Sequence, residues 1–242
     1  MNPLYILKVG TTYPATAARF GDFDAWVEAA LANPGVAVEV LAIAEGAALP
    51  NPAQCAGVII TGSHAMVTDC LPWSVAVEQW LPSLLAHQVP VLGICYGHQL
   101  LARALGGSVD AHPAGPEIGT VLIRANSARH DDPLFAAVPD QFYAHVTHTQ
   151  SVVTLPANAV ILAASDHEAH QIVRFGDCAW GVQFHPEFDA AISRDYIQAQ
   201  AAAITAAGHS VTDRLQAVTA TPQAREVLTR FGQLVAARNQ KI

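Results

Sequence analysis

Charge is scarce in this sequence, and basic charge is the scarcer sign. Of 242 residues only 13% are charged, and 12 Lys and Arg face 20 Asp and Glu, a formal net charge of −8. No cluster of Lys or Arg forms a basic stripe, which argues against nucleic acid and an anionic membrane as partners. No apolar run reaches the roughly 18 to 20 residues that span a bilayer; "AQAAAITAAGHS" is too short and too weakly apolar. The opening "MNPLYILKVG" has neither a charged n-region nor a small-residue cleavage site, so it reads as a first strand and a cytoplasmic location is expected. Cysteine is sparse as well. Cys55, Cys70, Cys95 and Cys178 are well separated and form no C-x-x-C pair, which argues against a disulfide framework or a thiolate zinc site. At most one of them is expected to carry chemistry.

What is abundant is apolar side chain: 52% of the residues are hydrophobic, enough for a sizeable core. In the first half, strand-like runs ("LYILKVG", "VAVEVLAI", "GVIITGS", "VPVLGI") alternate with helical spacing over 16–33, 73–88 and 97–105. Between 108 and 184 come short strand-like runs separated by Pro, Gly, Asn and Asp, with no long helix. From about 190 the pattern is helical, ending in a helix over 222–238. These patterns predict an α/β fold: a three-layer, doubly wound, mostly parallel sheet of the flavodoxin or Rossmann kind, with an antiparallel ribbon insertion and C-terminal helices. Residues 1–205 are expected to form the main unit and 206–242 a helical extension packed on it.

"VPVLGICYGHQLLARALGG" (89–107) places Cys95 between a buried strand and an amphipathic helix, in a G-x-C-x-G turn. Gly93 and Gly97 lack the Cβ atoms that clash in so sharp a turn, which leaves the intervening side chain standing above the sheet. The helix N-terminus directs free N–H groups and its positive dipole end at the thiol, favouring the thiolate that attacks. The Tyr96 amide is a natural oxyanion donor. A cysteine in such a turn can equally be a small core residue, so a base is needed to decide. "WGVQFHPEF" (180–188) offers His185 and Glu187, two apart in an extended segment and therefore on one side, so that the carboxylate can orient the ring. "GVIITGSHAMVTD" (57–69) supplies a third strand end, whose amides lie near Cys95 if the two strands are neighbours.

Together, "VPVLGICYGHQLLARALGG", "AWGVQFHPEF" and "ITGSHAMVTDCLPW" resemble the class I, triad-type glutamine amidotransferases, most of all the stand-alone group similar to the glutaminase domain of GMP synthase. The resemblance covers roughly residues 35 to 190. It implies a Cys-His-Glu triad at Cys95, His185 and Glu187, forming a γ-glutamyl thioester from glutamine and releasing ammonia, then glutamate. It places the oxyanion hole on the amides of Ser63 and Tyr96, next to Gly62. It places substrate contacts at Gly62, at Gln99 and, in "HVTHTQ", at Thr147, His148 and Thr149. It implies no cofactor and no metal. Two departures stand out: Gly62-Ser63-His64 replaces a Gly-Gly-Pro pattern, and Gln150 stands where the family pattern has an acid.

A synthetase partner is missing from the sequence, which has no Walker-type G-x-x-x-x-G-K-[ST] and no SGG-type pyrophosphatase loop. Ammonia then passes to a separate synthetase subunit, or the protein is a plain γ-glutamyl hydrolase or peptidase acting on small molecules. Among readings of other classes, His145-x-x-His148 and His167-x-x-His170 suggest a metal-binding protein only weakly, without cysteine or carboxylate partners. Redox sensors and chaperones with an elbow cysteine are expected to lack H-P-E and to carry an acid on an early strand, which "GVIITGS" does not offer. Gln183, Phe184 and Phe188 read as packing around a strand end, and Cys55, Cys70 and Cys178 as structural.

Overall fold

A computed structural model describes residues 2–240. The first half runs β1 (Leu4–Lys8), α1 (Pro14–Phe20), α2 (Phe23–Leu31), β2 (Val38–Ala42), β3 (Gly57–Ile60), α3 (Pro72–Ala86), β4 (Val91–Ile94) and α4 (Tyr96–Ala104). The strands that follow are β5 (Ser108–Ala111), β6 (Glu117–Ala125), β7 (Gln141–His148), β8 (Gln150–Thr154), β9 (Ala159–Ala164), β10 (Ile172–Phe175) and β11 (Ala179–Val182). Four helices close the chain: α5 (Ala190–Ala199), α6 (Ala201–Ala206), α7 (Val211–Gln216) and α8 (Pro222–Asn239).

Nine strands form one sheet in the order β2-β1-β3-β4-β11-β10-β9-β6-β7, and β5 pairs with β8 as a separate ribbon. The pairs from β2 to β11 are parallel; those from β11 to β7 are antiparallel. The expected doubly wound α/β sheet with an antiparallel ribbon is therefore the observed one. Side-chain alternation along each strand divides the core between two faces. Leu4, Ile6, Ile59, Leu92 and Ile94 meet Val27 and Leu31 of α2 and Phe231 and Val235 of α8. Leu7, Val58, Ile60 and Val91 meet Leu81 and Leu84 of α3 and Leu100 and Leu101 of α4. Full burial of each such side chain contributes about 1.5–3 kcal/mol. No described helix is long and apolar enough to cross a membrane.

Two elements differ from expectation. The helix predicted over 16–33 is two helices, broken at Gly21, whose φ of 83° belongs to the left-handed region. Asp22 then caps α2 by accepting from the Phe23 amide at 2.8 Å. Its carboxylate also accepts from the Thr12 amide and pairs with Lys8, both at 2.8 Å, which fastens the segment leading to Tyr13. The strand "GVIITGS" stops at Ile60 because the Thr61 hydroxyl takes over the Val9 amide at 3.1 Å, releasing Gly62 and Ser63 into a loop.

Candidate active site

β4 lies between β3 and β11, so the loops leaving all three converge beyond its carboxyl end. Cys95 is the first residue past β4 and the N-cap of α4, with φ 49° and ψ −97°. Side chains other than glycine avoid that backbone region, and they persist there only where surrounding structure fixes them. The fixing is steric. A Cβ at Gly93 meets the Gly97 carbonyl carbon and oxygen at 2.4 Å, and a Cβ at Gly97 meets the Ile60 carbonyl oxygen at 2.5 Å. The strand-to-helix turn therefore closes only with glycine at both positions. The Tyr96 amide sits in the first turn of α4, where no intrahelical acceptor exists. Its ring is committed elsewhere, with the hydroxyl hydrogen-bonded to Ser74 at 2.6 Å. The Ser63 amide has no acceptor among the described residues.

The neighbouring strand brings the base. Gly181 and Val182 register with Gly93 and Ile94, and the Cys95 amide donates to the Val182 carbonyl at 2.8 Å. Three residues on, the His185 amide donates to the His145 carbonyl at 2.8 Å, and His185 Nδ1 meets Glu187 Oε1 at 2.7 Å. Both side chains are buried. The imidazole stacks on Phe188 with centroids 4.2 Å apart, and Phe23 lies at 6.2 Å. Burial disfavours the imidazolium, but the Glu187 carboxylate and then Cys95 outweigh it, so the His185 pKa is raised to about 10. Nε2 is buried without a hydrogen-bond partner. The thiol turns its proton toward the Thr147 carbonyl at 3.9 Å.

Cys95 and His185 line one cavity of about 140 Å³ together with Ser63, Tyr96, Gln99, Thr147, His148 and Thr149. Gly62 does not line it. Gly62 lies against the imidazole, where a Cβ would stand 2.9 Å from His185 Cε1, so glycine there leaves clearance for the ring. Gln99 Nε2 donates to the Gln150 carbonyl at 2.7 Å and to Gln183 Oε1 at 3.0 Å, so Gln183 buttresses Gln99. Gln150 donates to Thr68 Oγ1 at 2.7 Å and leaves its buried Oε1 without a partner. The lining contains no Asp or Glu.

The two H-x-x-H pairs do not converge. His145 bonds Thr120 at 3.0 Å, and His148 lies between Glu117 Oε2 at 3.0 Å and the Gln150 carbonyl at 3.1 Å. His167 and His170 face the Gly115 and Val152 carbonyls. Among the described residues no group of His, Cys, Asp and Glu is arranged to hold a metal ion. All four cysteines are free thiols; Cys55, Cys95 and Cys178 are buried and Cys70 is exposed. Burial raises the Cys55 pKa to about 11, which leaves it an inert thiol.

Sequence reasoning missed the mouth of the cavity. Tyr13, His64 and Tyr196 gather there, with ring centroids 4.3 Å apart for Tyr13–His64, 5.2 Å for Tyr13–Tyr196 and 5.9 Å for His64–Tyr196. The Tyr196 hydroxyl bonds Thr12 Oγ1 at 2.6 Å and His64 Nε2 at 3.2 Å. Burial, and then the charge of His185, lower the pKa of His64, which disfavours its imidazolium form. Gln200 donates to Thr147 Oγ1 at 2.9 Å. The one usable signal is the helical spacing of Ile192, Tyr196 and Gln200 directly after H-P-E.

The chain is 29% identical to gamma-glutamyl peptidase 4 of Arabidopsis thaliana over 74% of its own length and 70% of that protein's. It is 35% identical to a glutamine-hydrolyzing GMP synthase subunit of Sulfurisphaera tokodaii, over 52% of this chain and 63% of the other. It spans only 20–25% of the length of two other GMP synthases it matches, from Thermosipho africanus and Aeropyrum pernix. The solved glutamine amidotransferases of Methylobacillus flagellatus (TM-score 0.73, 24% identity, 99% of this chain and 94% of that one) and Thermotoga maritima (TM-score 0.72, 21% identity, 98% and 97%) share its fold. The model of the class-I glutamine amidotransferase family matches residues 20–202, which take in the turn at Cys95 and the H-P-E segment alike, and the chain belongs to that family.

Proposed function

We propose that the protein hydrolyses the side-chain amide of glutamine through a γ-glutamyl thioester on Cys95. His185 takes the Cys95 proton, the resulting thiolate adds to the amide carbonyl carbon, and the oxyanion lies between the Ser63 and Tyr96 amides. His185, as imidazolium, protonates the departing nitrogen; the C–N bond breaks and ammonia leaves. Water then attacks the thioester carbonyl, His185 accepts its proton, the C–S bond breaks, glutamate leaves and the thiolate is regenerated beside the imidazolium. Glu187 holds the ring and its charge. Gln99, Thr147, His148 and Thr149 contact the glutamyl group, and a separate synthetase subunit takes the ammonia. The observation that carries this reading is the Cys95 amide bonded to Val182, which sets the strained cysteine one strand away from the His185–Glu187 pair.

A second reading, a γ-glutamyl hydrolase or peptidase without ammonia transfer, is favoured by the cavity wall. A free amino-acid ammonium finds no carboxylate there, and Gln150 occupies the position where the family pattern has an acid. The test compares initial rates on glutamine with those on γ-glutamyl amines and peptides. The glutaminase reading expects ammonia release from glutamine; negligible release alongside cleavage of the other compounds rejects it in favour of the second.

The raised His185 pKa carries a pH prediction. The imidazolium is the proton donor, so hydrolysis falls as pH rises through about 10. Glu187 is the largest influence opposing burial; removing its charge lowers the His185 pKa. In Glu187→Gln the alkaline limb of kcat/KM therefore moves to lower pH than in the wild type. A limb that stays where it was removes Glu187 from the mechanism.

A further inference from the structure

The cavity has two unlike walls meeting at Cys95. One is polar: Gln99, Thr147, His148, Thr149 and Gln150. The other is aromatic and belongs to the His185 side: Phe23 lies 6.2 Å from the His185 ring and 6.1 Å from His64, which continues into Tyr13 and Tyr196. Proton transfer to a leaving nitrogen requires that nitrogen to be on the His185 side, so any substituent it carries extends along the aromatic wall. Ammonia makes no use of such a wall.

The rings are held in place. Tyr196 is buried and tied to Thr12 and His64, and Asp22 anchors the segment before Tyr13. Tyr13 is half-buried and His64 exposed, and both line the cavity. The three rings are 4–6 Å apart and so already pack on one another; a further planar ring can only lie against their outer, cavity-facing surface, by offset or edge-to-face contact. His64 comes from the Gly62-Ser63-His64 stretch where the family pattern has Gly-Gly-Pro, so the third ring is a departure of this chain.

We infer that the amine released at this site carries an aromatic group, the substrate being a γ-glutamyl amide of an arylalkylamine whose ring packs against Tyr13 and His64 at the cavity mouth, with Tyr196 behind them. This deepens the second reading above and rests on acyl transfer at Cys95.

The test uses the full chain and four probes: γ-glutamyl-phenethylamide, γ-glutamyl-propylamide, γ-glutamyl-methylamide and glutamine. Phenethylamine is a somewhat weaker base than propylamine, a difference that is the same for wild type and variants, so the change in their kcat/KM ratio on substitution reads the ring and not leaving-group reactivity. The phenethylamide is expected to exceed the propylamide by at least about tenfold, the low end of what burying a ring supplies. That ratio is expected to fall toward one in Tyr13→Ala and, as a second variant at an exposed position, in His64→Ala. A wild-type ratio of one or less, with Cys95-dependent hydrolysis of the other probes, overturns the inference and leaves acyl transfer standing. A ratio kept in both variants also overturns it. Hydrolysis of none of the four overturns the inference and the acyl-transfer reading together.

Discussion

Cys95→Ala is expected to lower hydrolysis of glutamine and γ-glutamyl amides by about 10⁴-fold or more, the scale on which nucleophile removal acts in triad hydrolases. The proposed oxyanion donors are main-chain amides at Ser63 and Tyr96 and survive the substitution, as does the cavity, so the loss isolates the covalent step. The variant should remain folded. Only one sulfur is removed, and the sharp turn is held by Gly93 and Gly97 rather than by the thiol. Incubation of wild-type protein with substrate and rapid acid quench should show a γ-glutamyl mass adduct that the variant lacks. Turnover within about tenfold of wild type, in a variant melting at the same temperature, would remove Cys95 as nucleophile.

Gly93→Ala is expected to have the largest effect on stability. The added methyl lies 2.4 Å from the carbonyl carbon and oxygen of Gly97 and 2.6 Å from the His98 nitrogen, all backbone atoms that no rotamer change can move. Relief requires α4 to shift away from β4, which opens the face where Leu100 and Leu101 pack. Overpacking in cores costs about 1–3 kcal/mol and more where backbone must move. At about 3 kcal/mol the melting temperature falls by roughly 6–12 °C for a domain of this size. Because the same shift misplaces Cys95, activity should fall further than the loss of folded protein explains. A melting temperature within about 1 °C of wild type would show that the elbow yields, contrary to the geometry.

The elbow and the H-P-E pair are legible in the sequence because their chemistry is local: glycines on both sides of a cysteine, and a histidine and a carboxylate two residues apart. The alternating strands are legible for the same reason, since the buried runs "GVII" and "VLGI" are continuous apolar stretches bounded by turn residues. The break at Gly21-Asp22 is readable in principle, as a helix-stopping glycine followed by a capping aspartate, but the apolar spacing across 16–33 conceals it. Gly62 reads as a substrate contact because it neighbours Ser63. Its packing against His185 depends on two strand ends meeting, which spacing along the chain does not encode. The aromatic mouth is least legible of all. Tyr13 comes from the segment after β1, His64 from the loop after β3 and Tyr196 from α5, and no pattern within any one of them points to the other two.

The pairing of β11 beside β4 has an evolutionary consequence. Sulfur sits one residue and imidazole three residues past adjoining strands whose register is locked by main-chain bonds, so their separation does not depend on the length of the loops threaded between them, provided that β7 still meets the His185 amide. Lineages are therefore free to lengthen, shorten or rewrite the hairpins from β5 to β9, and with them the choice of what is bound, without re-inventing the reaction centre.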